Sequence, residues 1–125
     1  MSDLRYTKTH EWVANNTDNL SIGITEHAQQ LLGDLVYVEL PEEGKTVQAG
    51  DELGVVESVK AASDFYAPVS GTIVAINHEV SAKPELVNTD PLGSGWLVKI
   101  KPSNPAELSE LLTADDYQHH IAEGH

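Results

Sequence analysis

Residues 54–68 read Gly54-Val55-Val56-Glu57-Ser58-Val59-Lys60-Ala61-Ala62-Ser63-Asp64-Phe65-Tyr66-Ala67-Pro68, and this stretch decides the fold of the chain. It predicts two short strands that meet at a tip holding Val59 and Lys60. Hairpin tips usually carry Asn-Gly, Asp-Gly or paired glycines, because the favoured turns need positive φ angles. Val-Lys is compatible with a type I turn but does not favour one. Because this exposed tip lacks the residues that usually form such a turn, we infer that Lys60 has a function.

Two similar strand-and-turn units flank Lys60. Gly50 lies 10 residues before the lysine and Gly71 lies 11 residues after it. Each glycine adjoins an apolar run, at 53–56 and 72–76, and such runs beside turn residues predict strands. This near-symmetry about a lysine resembles biotinyl and lipoyl carrier domains. The resemblance implies a mostly β fold with short helices, a flattened β-barrel or sandwich of the barrel-sandwich hybrid type, and a modified lysine at an exposed turn.

Length and composition narrow the function classes. The 125 residues predict one domain, residues 1–125, and the absence of cysteine excludes disulfides, a thiol nucleophile and cysteine-ligated metal. The formal net charge of −13 disfavours nucleic acid and anionic membranes as partners and suits partners with positive surfaces; aiding solubility is the alternative reading.

No stretch reaches the roughly 18 apolar residues of a membrane-spanning helix. The N-terminus resembles neither a signal nor a transit peptide, so we expect a cytoplasmic protein, or a mitochondrial matrix protein if a transit peptide was removed.

The other elements follow from local signals. Residues 20–24 alternate as a half-buried strand does, 35–40 are predicted to form a second strand, and the polar cluster at 15–19 predicts a turn. Thr25 is expected to cap a short helix at 26–32, and Gly33 to stop it. Residues 77–91 are interpreted as a polar loop, and 96–100 as a strand with Trp96, Val98 and Ile100 on one face.

The C-terminal segment 103–125 is predicted to be helical, with two helices near 105–121. Asn104-Pro105-Ala106-Glu107 is a helix start, and Thr113 is a candidate cap for the second helix. His119, His120 and His125 are interpreted as part of a frayed polar tail. No metal site is expected, because His10-Glu11 lacks the second histidine of the zincin pattern and no cysteine is present.

Several sequence motifs are specific to one family. Around the modified lysine, biotin carriers typically have Met-Lys-Met, and lipoyl domains of the 2-oxoacid dehydrogenases have Asp-Lys-Ala. Here the lysine lies in Glu57-Ser58-Val59-Lys60-Ala61-Ala62-Ser63-Asp64. With the opening Tyr6…His10-Glu11-Trp12 and the run Ile22-Gly23-Ile24-Thr25…His27-Ala28-Gln29, the chain closely resembles the H protein of the glycine cleavage system.

The resemblance implies a covalent lipoate on Lys60 and a carrier that is not itself an enzyme. The oxidised arm would accept an aminomethyl group from the pyridoxal-phosphate glycine decarboxylase and deliver it to the tetrahydrofolate-dependent aminomethyltransferase. Dihydrolipoyl dehydrogenase would reoxidise the arm, and a lipoate ligase or a lipoyl/octanoyl transferase would attach it. No residue of the chain is assigned a catalytic role.

The resemblance also suggests accessory residues. Glu57, just before the lysine, is a candidate for recognition by the attaching enzyme. Thr9, Glu11, Leu31 and Asp64 are candidates for a cleft that receives the loaded arm. For Glu57 and for this cleft, the alternative is that the residues are ordinary surface groups.

Two other functions remain open at this point. A lipoyl relay would bear the same lysine motif and pass its lipoate to other enzymes. A biotin carrier or an unmodified binding barrel would share the fold but not the sequence motif around Lys60.

Overall fold

The computed structural model describes residues 4–15 and 19–122, which form two antiparallel sheets joined by short helices. The elements are β1 Leu4–Tyr6, β2 Glu11–Asn15, β3 Leu20–Ile24, α1 Glu26–Leu32, β4 Leu35–Glu39, β5 Thr46–Val47, β6 Glu52–Ser58, β7 Ala62–Tyr66, β8 Gly71–Ile76, α2 His78–Ala82, α3 Glu85–Thr89, β9 Val98–Pro102, a 3-10 helix Pro105–Glu110 and α4 Ala114–Ala122. The predicted mostly β fold with short helices is confirmed.

The larger sheet has the strand order β1-β2-β3-β9-β8-β5, and the smaller sheet has the order β4-β6-β7. Their facing sides bury one apolar core, which supplies the main stabilising free energy of the fold. Both sheets contribute to it, through residues such as Val13, Ile22, Ile100, Val56 and Phe65. The strand β7 lies at the edge of the smaller sheet, so one side of its backbone is not covered by another strand of that sheet.

The predicted hairpin is formed by β6 and β7. Val55 pairs with Asp64 and Glu57 pairs with Ala62. Val56 and Phe65 are buried, so successive side chains alternate between the core and solvent. Residues 58–61, called the hairpin tip below, connect the two strands and hold Lys60.

The helix α1 begins and ends where the sequence predicts. The Thr25 hydroxyl accepts the N–H of Ala28 at 3.2 Å and so caps the first turn. Gly33 ends the helix with φ 85°, which a residue without Cβ adopts freely. Leu32 is the buried residue of this helix.

The predicted polar loop at 77–91 is wrong, because α2 and α3 occupy most of it. Asn77 caps α2 through a 3.1 Å bond from the N–H of Glu79, and Pro84 begins α3. Val80 and Val87 are the buried anchors of the two helices. Each helix has five residues, too few to produce the helical periodicity on which sequence prediction depends.

The prediction that Trp96, Val98 and Ile100 share one face of a strand is wrong for Trp96. The strand β9 begins only at Val98, and Leu97 is buried instead. The N–H of Leu97 donates to the Ile22 carbonyl at 2.8 Å, whereas Trp96 is half-buried, with Lys99 Nζ 4.9 Å from the centre of its ring. Because Trp96 precedes the strand, the alternation of β9 does not extend to it.

The C-terminal prediction is correct in part. The first predicted helix is a 3-10 helix, and the second is α4, capped by the Thr113 hydroxyl at 3.2 Å from the Asp116 N–H. A frayed tail is wrong for His120, whose Nε2 lies 3.1 Å from the Lys8 carbonyl oxygen. His119 is exposed, and His125 lies outside the described residues.

Candidate functional site

The hairpin tip is held by the side chain of Ser58. The Ser58 N–H donates to the Ala61 carbonyl at 2.7 Å. Its hydroxyl oxygen accepts the N–H groups of Lys60 at 3.3 Å and Ala61 at 3.1 Å. Neither Val59 nor Lys60 has a positive φ. The tip therefore needs no glycine, because a serine hydroxyl stabilises the turn instead. The sequence motifs around Lys60 do not predict this role of Ser58.

Lys60 is displayed rather than packed into the core. The residue itself is exposed, and the neighbouring Val59 side chain is 83% exposed. The lysine side chain crosses the C-terminal end of α1, where a Cβ built on Gly33 would lie 3.3 Å from Lys60 Cε and 3.8 Å from Nζ. The glycine that ends α1 thus also leaves room for the lysine.

The solvent-facing side of β4, β6 and β7, called the outer face below, is acidic. Glu39 pairs with Val55, and Val55 pairs with Asp64, so these side chains share the outer face with Glu57. The negative charge of Glu39, with smaller contributions that include Glu57, raises the pKa of the exposed Tyr37 hydroxyl between them. Lys60 therefore extends from the end of a negatively charged surface.

A second cluster lies at the other end of β7, around Glu11. The Glu11 carboxylate is 1% exposed. Its Oε1 accepts the hydroxyls of Thr7 and Thr9, each at 2.5 Å, and its Oε2 accepts the Tyr66 N–H at 3.3 Å. Glu11 thus satisfies a backbone donor on the open edge of β7 and joins β2 to the smaller sheet.

Burial changes the acidity of this carboxyl group. Loss of water around the carboxylate raises the pKa of Glu11, and the bonds from Thr7, Thr9 and Tyr66 oppose the rise without cancelling it. The ionised form is therefore less favourable in the folded protein than in the unfolded chain. A buried carboxylate is well suited to attract a further cationic donor.

The Glu11 pocket is a cavity of about 400 Å³ beside this carboxylate. It is lined by Thr7, Lys8, Thr9, Glu11, Gly50, Tyr66, Ala67 and Pro68. Gly50 has φ 92° and forms the turn expected there. The pocket combines apolar walls with one buried acceptor group, as small-molecule sites commonly do.

The outer face of β7 connects the lysine with the Glu11 pocket. Ala62, Asp64 and Tyr66 alternate with the buried Phe65 and so lie on one side of the strand. From Ala62 to Tyr66 the strand spans about 13 Å. An extended group attached at the hairpin tip can follow this side of β7 toward the pocket.

The predicted cleft residues are placed in three positions. Thr9 and Glu11 meet in the pocket, and Asp64 is exposed on β7 between the pocket and the tip. Leu31 is 60% exposed near the end of α1 and is not among the pocket-lining residues. Glu57 lies opposite Ala62, beside the tip. The functional roles of these residues, like that of Lys60, stay predictions.

Two further features of the described residues bear on function. In residues 4–15 and 19–122, no three His, Cys, Asp or Glu side chains gather as a metal-binding group. None of the helices in these two ranges is long and apolar enough to cross a membrane.

A two-sheet β fold that displays one lysine on a hairpin tip defines a carrier domain of the barrel-sandwich type. The family model described as "Glycine cleavage H-protein" matches residues 4–124. The chain therefore belongs to the glycine cleavage H-protein family and is a carrier component of the glycine cleavage system.

Individual relatives agree over nearly the whole chain. A glycine cleavage system H protein of Legionella pneumophila (strain Corby) is 59% identical over 98% of both chains. That of Pseudoalteromonas translucida is 58% identical over 98% of this chain and 95% of its own length. The crystal structure of a glycine cleavage system H protein from Mycobacterium marinum superimposes with a TM-score of 0.87 at 44% identity, covering 96% of this chain and 97% of that one.

Proposed function

We propose that Lys60 carries lipoate as an amide on Nζ, and that the protein shuttles an aminomethyl group between the enzymes of the glycine cleavage system. The observation that carries this proposal is the position of Lys60: exposed, at the tip of a hairpin, with Gly33 leaving room beside its Nζ. The fit is chemical as well, because a primary amine can form the amide bond. The attached dithiolane would supply the group-carrying and redox chemistry.

The proposed partners are glycine decarboxylase, the aminomethyltransferase, dihydrolipoyl dehydrogenase and a lipoate ligase or lipoyl/octanoyl transferase. The chain itself contributes display and electrostatic steering. Amide formation removes the positive charge of Lys60, while carboxylates such as Glu39, Glu57 and Asp64 stay on the outer face. A face of this sign favours encounter with partners whose docking surfaces are basic.

Glu57 is proposed as a contact for the attaching enzyme. Its side chain lies on the outer face, opposite Ala62 and three residues before Lys60. An enzyme that holds the Lys60 amine in its active site must cover this part of the hairpin. A carboxylate there offers it a charged hydrogen-bond acceptor near the reacting amine.

The Glu11 pocket is proposed as the resting place of the loaded arm. Ala67 and Pro68 supply apolar walls, and Glu11 and Thr9 supply oxygen atoms. A carboxylate accepts about four hydrogen bonds, and the three described bonds to Glu11 leave capacity at Oε2 for the cationic amine. Asp64 adds a carboxylate along β7, and Leu31 adds apolar surface at the lysine end.

Glycine–bicarbonate exchange tests the carrier function. Lipoylated wild-type protein, mixed with purified glycine decarboxylase, is expected to support exchange of labelled bicarbonate into glycine. The same chain without lipoate, and a Lys60→Ala variant treated with the ligase, are expected to be inactive. Exchange supported equally by Lys60→Ala would contradict the assignment of the lysine.

A second experiment tests the resting place. Glu11→Gln removes the charge while keeping the size of the side chain, so the loaded arm should release ammonia and formaldehyde several-fold faster in the absence of the transferase. Glu110→Gln is a matched control, since Glu110 is exposed at the end of the 3-10 helix. Equal release from wild type and Glu11→Gln would exclude Glu11 as the acceptor of the amine.

A further inference from the structure

We propose that Tyr117 on α4 is a positioning residue for the Glu11 pocket. Through His10 it fixes the turn at residues 7–10, which presents the Thr7 and Thr9 hydroxyls to Glu11. The proposal deepens, and in its loaded-arm part rests on, the proposed function of this pocket. It assigns a role to the C-terminal helix α4, whose Tyr117 is not among the residues that line the Glu11 pocket.

The 7–10 turn holds an unfavourable backbone conformation. His10 has φ 73° and is the one non-glycine residue with a positive φ in the described ranges. L-residues are crowded in this region of φ, so neighbouring groups must hold the residue there. Within the turn, the His10 N–H donates to Thr7 O at 3.2 Å and the Thr7 N–H donates to Glu11 O at 3.0 Å.

A chain of hydrogen bonds holds His10, which is not itself among the residues that line the Glu11 pocket. The His10 Nδ1 lies 2.7 Å from the Tyr117 hydroxyl, which lies 2.7 Å from the Thr25 hydroxyl. Because the Ala28 N–H already donates to Thr25, one consistent order of protons has Thr25 donating to Tyr117 and Tyr117 donating to Nδ1 of a neutral imidazole. The Thr25 N–H also donates to the His10 carbonyl at 3.0 Å.

Tyr117 is itself fixed in place. Its side chain is 4% exposed and its ring stacks on Tyr6, with centroids 4.7 Å apart and planes 11° from parallel. Tyr6 and Leu112 exchange backbone hydrogen bonds of 2.9 and 2.8 Å. The chain entering α4 is therefore attached to the strand that directly precedes the 7–10 turn, and Tyr117 acts from a rigid support.

His120 makes a second contact between α4 and the turn. Its Nε2 lies 3.1 Å from the carbonyl oxygen of Lys8, and its ring centre lies 5.9 Å from that of His10. Two side chains of one helix thus contact successive parts of the same turn. This makes α4 the support of the turn rather than a loosely attached tail.

The consequence concerns the geometry of the pocket. Thr7 and Thr9 both donate to a single oxygen of Glu11, which requires the turn to keep both hydroxyls on one side. If the bond to Tyr117 is lost, His10 can relax to a negative φ and the turn can rotate its threonines away. We therefore expect local loosening of the pocket while both sheets stay intact.

The first test uses the full chain without lipoate. Tyr117→Phe keeps the ring that stacks on Tyr6 and removes the hydroxyl. Amide hydrogen exchange at Thr7, His10 and Glu11 is expected to accelerate about ten-fold, as for loss of a buried hydrogen bond, while the β8–β9 ladder is unchanged. Tyr37→Phe is the matched control, since the Tyr37 hydroxyl is exposed on β4 and lies 3.4 Å from Glu39. Unchanged exchange in Tyr117→Phe would overturn the proposal.

The second test uses the lipoylated, aminomethyl-loaded protein. Tyr117→Phe is expected to release ammonia several-fold faster than wild type, with an unchanged rate of lipoylation. If wild type protects the arm and Tyr117→Phe protects it equally, the positioning role is overturned. If wild-type protein releases ammonia as fast as aminomethylated lipoamide free in buffer, the resting-place function fails, and the amide exchange experiment still decides the role of Tyr117.

Discussion

The hairpin tip and the 7–10 turn both depart from ordinary turn chemistry, but they are stabilised in different ways. The tip lacks glycine, and the hydroxyl of Ser58 stabilises it within four residues of chain. The 7–10 turn holds His10 at a positive φ, and the hydroxyl that stabilises it belongs to Tyr117, 107 residues later. The segment that displays Lys60 is self-contained, whereas the segment proposed to receive the loaded arm depends on the completed fold.

This difference predicts how substitutions separate function from stability. Residues at the tip touch little of the core, so changes there should alter modification and transfer while the free energy of unfolding stays constant. Residues around the Glu11 pocket join β2, β7 and α4, so changes there should alter both. The following predictions test this contrast, from the largest effect to the smallest.

Lys60→Arg should abolish lipoylation and carrier activity. The guanidinium keeps the positive charge, but it cannot replace the lysine amine as the site of lipoyl attachment. Because the side chain is exposed, the free energy of unfolding should change by less than about 0.5 kcal/mol. Urea titration and a lipoylation assay on the same preparation measure both effects. A folded variant that still carries lipoate would contradict the assignment of Lys60 as the attachment site.

Glu57→Ala should slow attachment without affecting the later transfer steps. Loss of one surface charge contact with the attaching enzyme corresponds to about 1 kcal/mol, or about a five-fold lower rate with purified ligase. Glu39→Ala is the matched control, because it removes the same charge from the outer face next to Val55 rather than next to the tip. Equal rates for the two variants would assign Glu57 to general electrostatics rather than recognition.

Glu11 should make the stability of the pocket depend on pH. Its pKa is raised by burial, so the stability contributed by the protonated form is complete below about pH 4.5 and is lost as the pH rises through the folded-state pKa. The free energy of unfolding of wild type, minus that of Glu11→Gln, should therefore fall with increasing pH and then level off. Taking the difference cancels the titration of the other carboxyl groups.

Paired denaturation curves between pH 4 and pH 8 measure this difference. A difference that rises with pH would mean that the folded protein favours the carboxylate, as an ion pair would. A flat difference would mean that the burial of Glu11 has no consequence for its ionisation. Either result would contradict the raised pKa that burial gives Glu11.

Local chemistry made the lysine half of the site predictable. The apolar runs around Lys60, the turn glycine Gly50 and the cap pair Thr25 and Gly33 each act through neighbours in sequence, and the structure contains the strands and the helix that they predict. The helices α2 and α3 were missed because five residues show no period.

The geometry of the Glu11 pocket, the proposed receiving site, could not be predicted from local patterns. The family resemblance suggests Glu11 as a cleft residue, but no local signal indicates the positive φ of His10 or the burial of Glu11. The Tyr117 hydroxyl contacts His10 and Thr25 only in the completed fold, where these distant segments meet α4. Contacts between distant segments carry no periodicity that the sequence displays.

The central claim is that Lys60 is the attachment site of a lipoyl arm. The most direct measurement is the intact mass of the protein purified from its own host, followed by mass mapping of the peptide that contains residues 54–68. The account predicts one lipoyl adduct per chain, located on Lys60. An unmodified lysine in cells that are actively cleaving glycine, a biotinyl adduct, or a lipoyl group on another lysine would contradict it.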